Sequence, residues 1–335
     1  MRVARPRLIC VAWLLLTAMV AGAAPLAHAQ GLRDVRVADD NGQFDFWLPP
    51  PQRPDVEFTN GARLHLSFDG APVWGRWLTE RPPSCAAPRA DASCASTELE
   101  IGQEMYTPAN AITQAEPQRG ARPYAGFLYT SLTARLATAR RSDAIAAEVG
   151  VTGAPSLAEK IQTAWHRLIG YPRPLGWSHQ IPFMAGAMLS ATHQQELVHL
   201  TVSGLPVLSV VPQATASLGN VLTGARAGAE GRLGYGVAPP WATTRETGGR
   251  LVEVYALAAV RGEYIAYQLV LDGHTTRPAQ SVSRVPWVTQ YEFGGGMRLG
   301  GVEVEYRGVT RSREYATGPA AHTYGTIALG VRSGW

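Results

Sequence analysis

The chain has 335 residues, 46% of them hydrophobic and 17% charged, with a formal net charge of +4. Three of its arginines, Arg2, Arg5 and Arg7, form a basic start before an apolar run from Leu8 to Val20 and a small-x-small site at Ala27-His28-Ala29, the pattern of an export signal. Without residues 1–29 the charge falls to about +1, so the high pI is no argument for nucleic acid, and no stretch interleaves basic and aromatic residues as a nucleic-acid groove does.

The apolar run is too short and too early to be a membrane span, and Cys10 lies inside it instead of at a cleavage junction. Residues 30–335 read as one domain. Nowhere in them do about twenty apolar residues follow one another, which excludes a helical membrane protein; alternation recurs instead. A first strand ends near Asp40, and a second descends from Thr59 with Arg63, His65 and Ser67 on one face and Ala62, Leu64, Leu66 and Phe68 on the other. The connection after it holds Cys85 and Cys94 in a Pro/Ala/Ser-rich loop. In an oxidising compartment they read as a disulfide, with two free thiols or a metal pair as the alternatives.

A third strand climbs to Tyr106, a fourth descends from Tyr124 through Leu132, and a fifth climbs to Val151. A helix then breaks the pattern. Ser156 with Glu159 three residues on predicts a capping box, Leu157, Ile161, Trp165, Leu168 and Ile169 carry the helical period, and Gly170 and Pro172 end it. Gln162 and His166, four apart, share a face. Further dyads run from Leu197 to Val211, Glu253 to Val260 and Gln290 to Tyr306, and Ile327, Leu329, Val331 and Trp335 alternate up to an aromatic end.

The count is about twelve strands, with an error of two either way. A soluble β-sandwich also alternates, but the polar faces are too rich in Arg, Gln and Glu for a dry core. The expectation is an all-β, transmembrane antiparallel β-barrel with a short helix in an outer loop, integral to the outer membrane of a Gram-negative type of cell. Its partners are outer-membrane lipid and the export and barrel-assembly machinery, its Trp and Tyr residues form interfacial girdles in part, and a monomer is the default.

Strands alternate in direction, so parity assigns each connection to an end. Asp39, Asp40, Thr59, Thr107, Tyr124, Gln162 and His166 then gather at the outer end, drawn from three successive outer connections. One His to act as base, no Ser or Cys nucleophile beside it, and oxygen ligands for a hard cation fit attack by water on an ester. A helix-surface histidine bonded to a neighbour is an equal reading of His166 by itself. His65 and Ser67 share a strand face as in outer-membrane phospholipase A, an acyl hydrolase, but Phe68-Asp69 follows where that family has Asn-Gly; two lumen-facing polar residues explain the pair better.

Five ordered pieces carry a resemblance: Asp55 to Gly61, Gln103 to Pro108, Arg122 to Tyr129, Gln162 to Gly170 and Gly176 to Gln180. Together they resemble the LpxR-type lipid A 3′-O-deacylases of the outer membrane. The resemblance implies calcium-dependent hydrolysis of an acyl ester of lipid A, with lipopolysaccharide as the substrate. It makes His166 the general base and Gln162 its neighbour, puts Asp40, Thr59 and Asp39 at the calcium, and lines the site with Asn60, Gly61, Thr107, Tyr124 and Arg119. Three positions depart from the family pattern. Its Asn-Asp pair is Asp39-Asp40 here, its lysine has no counterpart near Thr113, with Arg119 the closest cation, and the segment from Tyr171 to Phe183 contains no acidic residue. A non-catalytic structural or adhesive barrel is the competing reading.

Overall fold

A computed structural model of the chain describes residues 31–49, 57–70, 93–109, 111–242, 252–273 and 281–332. The export signal, Cys85 and Trp335 lie outside the described residues. Cys94 is buried at the start of a strand.

Thirteen strands form one antiparallel sheet: β1 (Leu32–Asn41), β2 (Glu57–Asp69), β3 (Cys94–Thr107), β4 (Ala125–Ala137), β5 (Arg141–Thr152), β6 (Ala185–Gln195), β7 (Val198–Val202), β8 (Leu205–Gly219), β9 (Leu222–Tyr235), β10 (Val252–Gln268), β11 (Trp287–Leu299), β12 (Val302–Ser312) and β13 (Ala321–Arg332). The sheet closes twice over, β1 on β13 and β6 on β8, so twelve strands circle the barrel. The expected count holds, and β7 is an extra piece. It continues the course of β6 along β8: Met188–Gln194 pair with Gln213–Gly219, and Val198–Val202 with Leu205–Val210.

The strands expose their apolar residues and bury their charges, the inverse of a soluble sheet. In β10 the outward residues Val254, Val260 and Tyr264 are 44%, 48% and 43% exposed, while the inward Glu253 and Glu263 are 4% and 6% exposed. The lumen is held by ion pairs. Arg307 reaches Glu230 at 2.8 Å, Glu292 at 2.9 Å and Glu305 at 2.8 Å, Arg261 pairs with Glu292, and Glu303 joins Arg36 to Arg332. Such pairs add little stability over well-packed apolar residues, yet removing one partner strands a buried charge at about 3–5 kcal/mol.

Apolar packing fills the outer mouth, where Leu271 and Val270 of the short helix α2 (Leu269–Asp272) meet Phe58, Tyr106, Val282 and Tyr315. At the other end Trp241 packs on Cys94 and Ala137 and donates its indole N–H to Thr138 O at 3.0 Å. Between them lies a charged cavity of about 810 Å³. No helix of the described residues is long and apolar enough to cross a membrane; the strands make the crossing.

Candidate active site

The third outer connection does not stand above the barrel but folds over its outer wall. Helix α1 (Ala158–Ile169) packs there on β3 and β4. In β3 the inward residues are Glu98, Glu100, Glu104 and Tyr106, which line the lumen, so Gln103, Met105 and Thr107 point outward. Lower on that face Ile101 is 45% exposed, whereas Gln103, Met105 and Thr107 are 7%, 2% and 1% exposed because the connection covers them. Gln103 Nε2 donates to Ser156 O at 2.5 Å, and Met105 packs with Ala111, Tyr124, Ala158 and Trp177.

Gly126 makes the close approach possible. A Cβ there would fall inside van der Waals contact of the Ser156 hydroxyl and the Ala158 methyl group. Gly126→Ala is therefore expected to lift α1 from the wall and lower activity at least tenfold (about 1.4 kcal/mol) with the barrel still folded; heat-modifiable gel migration and a rate assay check the two halves.

The sequence predicts a capping box at Ser156 that the structure does not form. Ser156 lies in a preceding 3-10 turn, its hydroxyl donates to Gly153 O at 2.6 Å, and the helix starts from Leu157 in a left-handed conformation with no side-chain cap. Gly153 O, three residues earlier, competes successfully for the hydroxyl.

The helix end is as expected and sets the state of His166. Gly170 has φ +71°, the amides of Gly170 and Tyr171 return to the carbonyls of Arg167 and His166, and the chain bends back. That bend brings Pro172 O to 2.6 Å from His166 Nδ1. A carbonyl only accepts, so Nδ1 carries the proton and Nε2 of the neutral ring keeps its lone pair. The ring is 5% exposed, with Tyr171 edge-on at 5.1 Å.

One turn earlier, Gln162 Oε1 accepts the indole N–H of Trp177 at 2.8 Å. An indole only donates, so the amide is fixed with its NH₂ away from Trp177. Trp177 is itself 2% exposed and lies 5.3 Å from the Tyr124 ring; Tyr124 donates to Ala111 O at 3.1 Å and accepts from Gly176 N at 3.2 Å. The sequence places Gln103 and Trp177 in two of the family-like pieces but gives neither a role in the site. Buried indoles need an acceptor, and that is the signal that could have found the first.

The remaining predicted residues divide between the two faces of the wall. β2 carries a bulge between Phe58 and Asn60: Phe58 turns into the lumen core, while Thr59 bonds Thr107 (hydroxyl to hydroxyl, 2.6 Å) and Asn60 donates to Asp39 Oδ1 at 2.6 Å, both on the outer face. Asp40, next to Asp39, points the opposite way. Arg63 donates to both of its oxygens at 2.7 and 2.8 Å, and Thr326 adds a third bond at 2.7 Å. The structure thus brings Asp39, Thr59, Asn60 and Thr107 to the side of the wall that carries α1 and takes Asp40 to the lumen.

Gly61 also faces inward, where a Cβ would meet the Phe58 ring and Asp40. Tyr124 is fully buried as a pin between connections. Arg119 lines a cleft with Glu57, Tyr315 and Thr317 to which no residue of α1 contributes. His65 and Ser67 line the lumen.

The chain and its fold have known counterparts. The family model for outer membrane protein LpxR matches residues 10–333. Among solved structures, LpxR from Salmonella typhimurium is similar with a TM-score of 0.71 and 18% identity, covering 89% of this chain and 99% of that one. The beta domain of the Bordetella autotransporter BrkA aligns with a TM-score of 0.45 and 11% identity over 91% of this chain and 100% of that one. No curated protein matches by sequence. The chain belongs to the LpxR family and is a twelve-stranded β-barrel of the outer membrane.

Proposed function

We propose that the protein is a lipid A deacylase, hydrolysing an ester-linked acyl chain at the 3′ position of lipid A from a site on the outside of its barrel wall. The observation that carries this reading is the pairing on one helix face of a histidine whose Nε2 lone pair is left by the Nδ1–Pro172 bond and a glutamine whose amide is fixed by Trp177. His166 Nε2 takes a proton from water, the hydroxide attacks the ester carbonyl, and the Gln162 NH₂ donates to the oxyanion. The protonated imidazole then returns its proton to the leaving sugar oxygen, releasing a fatty acid and a free hydroxyl. A site on the wall suits a substrate that stays in the leaflet, because its acyl chains need not enter the charged lumen.

The calcium implied by the resemblance was weighed against the residues present. Asp40 does not fit, since Arg63 occupies both of its oxygens. Asp39 does: its carboxylate has an amide partner in Asn60 but no ion pair among the described residues, and the hydroxyls of Thr59 and Thr107 add hard neutral donors on the same face. Among the described residues no three His, Cys, Asp or Glu side chains are placed to hold a metal ion together, so a cation held there leans on one carboxylate and binds weakly. Bound calcium would supply a positive charge to an ester carbonyl oxygen. The pairing of Cys85 with Cys94 and a monomeric state remain part of the proposal.

Mass spectrometry of lipid A from cells expressing the protein tests the reading. The expected spectrum shows species lighter by one 3′-linked acyl group. Unchanged lipid A from cells with correctly inserted protein and millimolar calcium would sink it.

A further inference from the structure

Helix α1 has three faces, and the site uses one of them. Ala158, Gln162 and His166 recur every fourth residue and are buried against the wall. With successive residues about 100° apart, Ile161, Trp165 and Leu168 form a second stripe on one flank of the first, and Leu157, the residue before the helix, stands at its start. Most of this stripe is uncovered among the described residues: Leu157, Ile161 and Leu168 are 41%, 46% and 64% exposed, while Trp165 is half-buried. The third face, on the opposite flank and away from the wall, carries Glu159, Lys160, Thr163 and Arg167, and Lys160 is the chain's only lysine.

Three isolated exposed apolar residues need no explanation, but an apolar stripe on a helix laid against a membrane wall does. The segment leaving the helix reaches the barrel through Phe183, 59% exposed, and runs into β6, whose outward Leu189 is 59% exposed beside the 55% exposed Val149 of β5. The lipid-facing belt thus reaches the wall at both ends of the connection that carries the stripe, Ile101 of β3 extends it on the wall below the part that the connection covers, and the charges of α1 stand on the helix's other flank. A second protein would have to match this belt as well as the helix; the acyl layer of the leaflet already covers the belt.

We propose that α1 is an interfacial helix whose stripe of Leu157, Ile161, Trp165 and Leu168 seats in the acyl-chain layer of the outer leaflet, with Lys160 and Arg167 turned to the headgroup side. The stripe is fixed to the same helix as Gln162 and His166, so it sets the depth at which these two meet a lipid ester. The membrane seat stands without the deacylase reading; its catalytic consequence rests on that reading.

Single cysteines at Ile161, Leu168, Lys160 and Arg167, each carrying a nitroxide, test the seat in the full-length protein reconstituted in phospholipid vesicles, with the labelled parent as the blank for Cys85 and Cys94. Labels at 161 and 168 are expected to collide more with dissolved oxygen than with an aqueous nickel chelate, and labels at 160 and 167 the reverse. Water-like accessibility at all four positions would overturn the proposal. So would dipolar broadening between labels at 161 that vanishes on dilution with unlabelled protein, because a second copy would then be covering the stripe.

The catalytic arm uses Ile161→Ser/Leu168→Ser. Deacylation of lipid A in vesicles should fall at least tenfold while the same variant in detergent micelles keeps the parental rate, and equal losses in both would contradict the depth-setting role. A parent inactive in both media, with the label pattern as expected, would remove the deacylase reading and leave the interfacial helix.

Discussion

His166→Ala is expected to lower kcat for lipid A deacylation by about 10²–10⁴-fold, the usual contribution of a positioned general base. The size follows from what the side chain holds: the Nε2 lone pair, set by the 2.6 Å bond between Nδ1 and Pro172 O. The barrel should survive, since the ring contributes one hydrogen bond, about 1 kcal/mol, and packs at the rim of a sheet held by twelve strands. Purified variant and parent, compared by mass spectrometry of released fatty acid, give the ratio, and heat-modifiable migration reports the fold. A folded variant within a few-fold of the parental rate would remove His166 from the chemistry and return it to the other reading of its sequence, a helix histidine with a neighbour.

Gln162→Leu is expected to cost about 10²–10³-fold in kcat, the scale on which one oxyanion donor is lost. This change also takes the acceptor from the Trp177 indole, so a second variant separates the effects. Gln162→Glu keeps an oxygen for Trp177 but has no NH₂ to donate, and it should be as slow as Gln162→Leu while folding like the parent. Trp177→Phe frees the amide to turn over; a tenfold loss in kcat, about 1.4 kcal/mol, with KM unchanged marks it as a positioning residue. Parental rates for Gln162→Glu would show that the amide hydrogens do no work and that Gln162 only anchors Trp177.

Much of this is legible in the sequence. Strand parity places residues 39, 40, 59, 107, 124, 162 and 166 at one end of the barrel, because direction alternates however the loops fold. The inside-out polarity of β10 was visible as alternation with charges on one side, and Gly170 with Pro172 marked the helix end. Parity could not show which face of the wall each side chain takes near the rim. The bulge between Phe58 and Asn60 changes that face by one residue, so Thr59 and Asn60 lie outside together while Gly61 turns in.

The same limit applies to Asp39 and Asp40, neighbours that sequence treated as a pair and the strand sends to opposite sides. Contacts made by the fold of the loop on itself were also out of reach. The bond from Trp177 to Gln162 joins residues fifteen apart across the irregular chain that follows α1, and Tyr124, a motif residue, is a pin with no exposed surface. Arg119 is the closest cation in sequence to the place of the family's lysine, and it stands in another cleft.

A site on the outer face of the wall, and not in the lumen, is the central claim, and the two aspartates test it most directly. Deacylation rates would be measured at a calcium concentration that just saturates the parent, for Asp39→Asn and for Asp40→Asn/Arg63→Gln, which removes both charges of the lumen pair together. The account predicts at least a tenfold loss, about 1.4 kcal/mol, for Asp39→Asn and a near-parental rate for the folded lumen double variant. An active Asp39→Asn protein alongside a folded but inactive Asp40→Asn/Arg63→Gln protein would place the chemistry inside the barrel and contradict it.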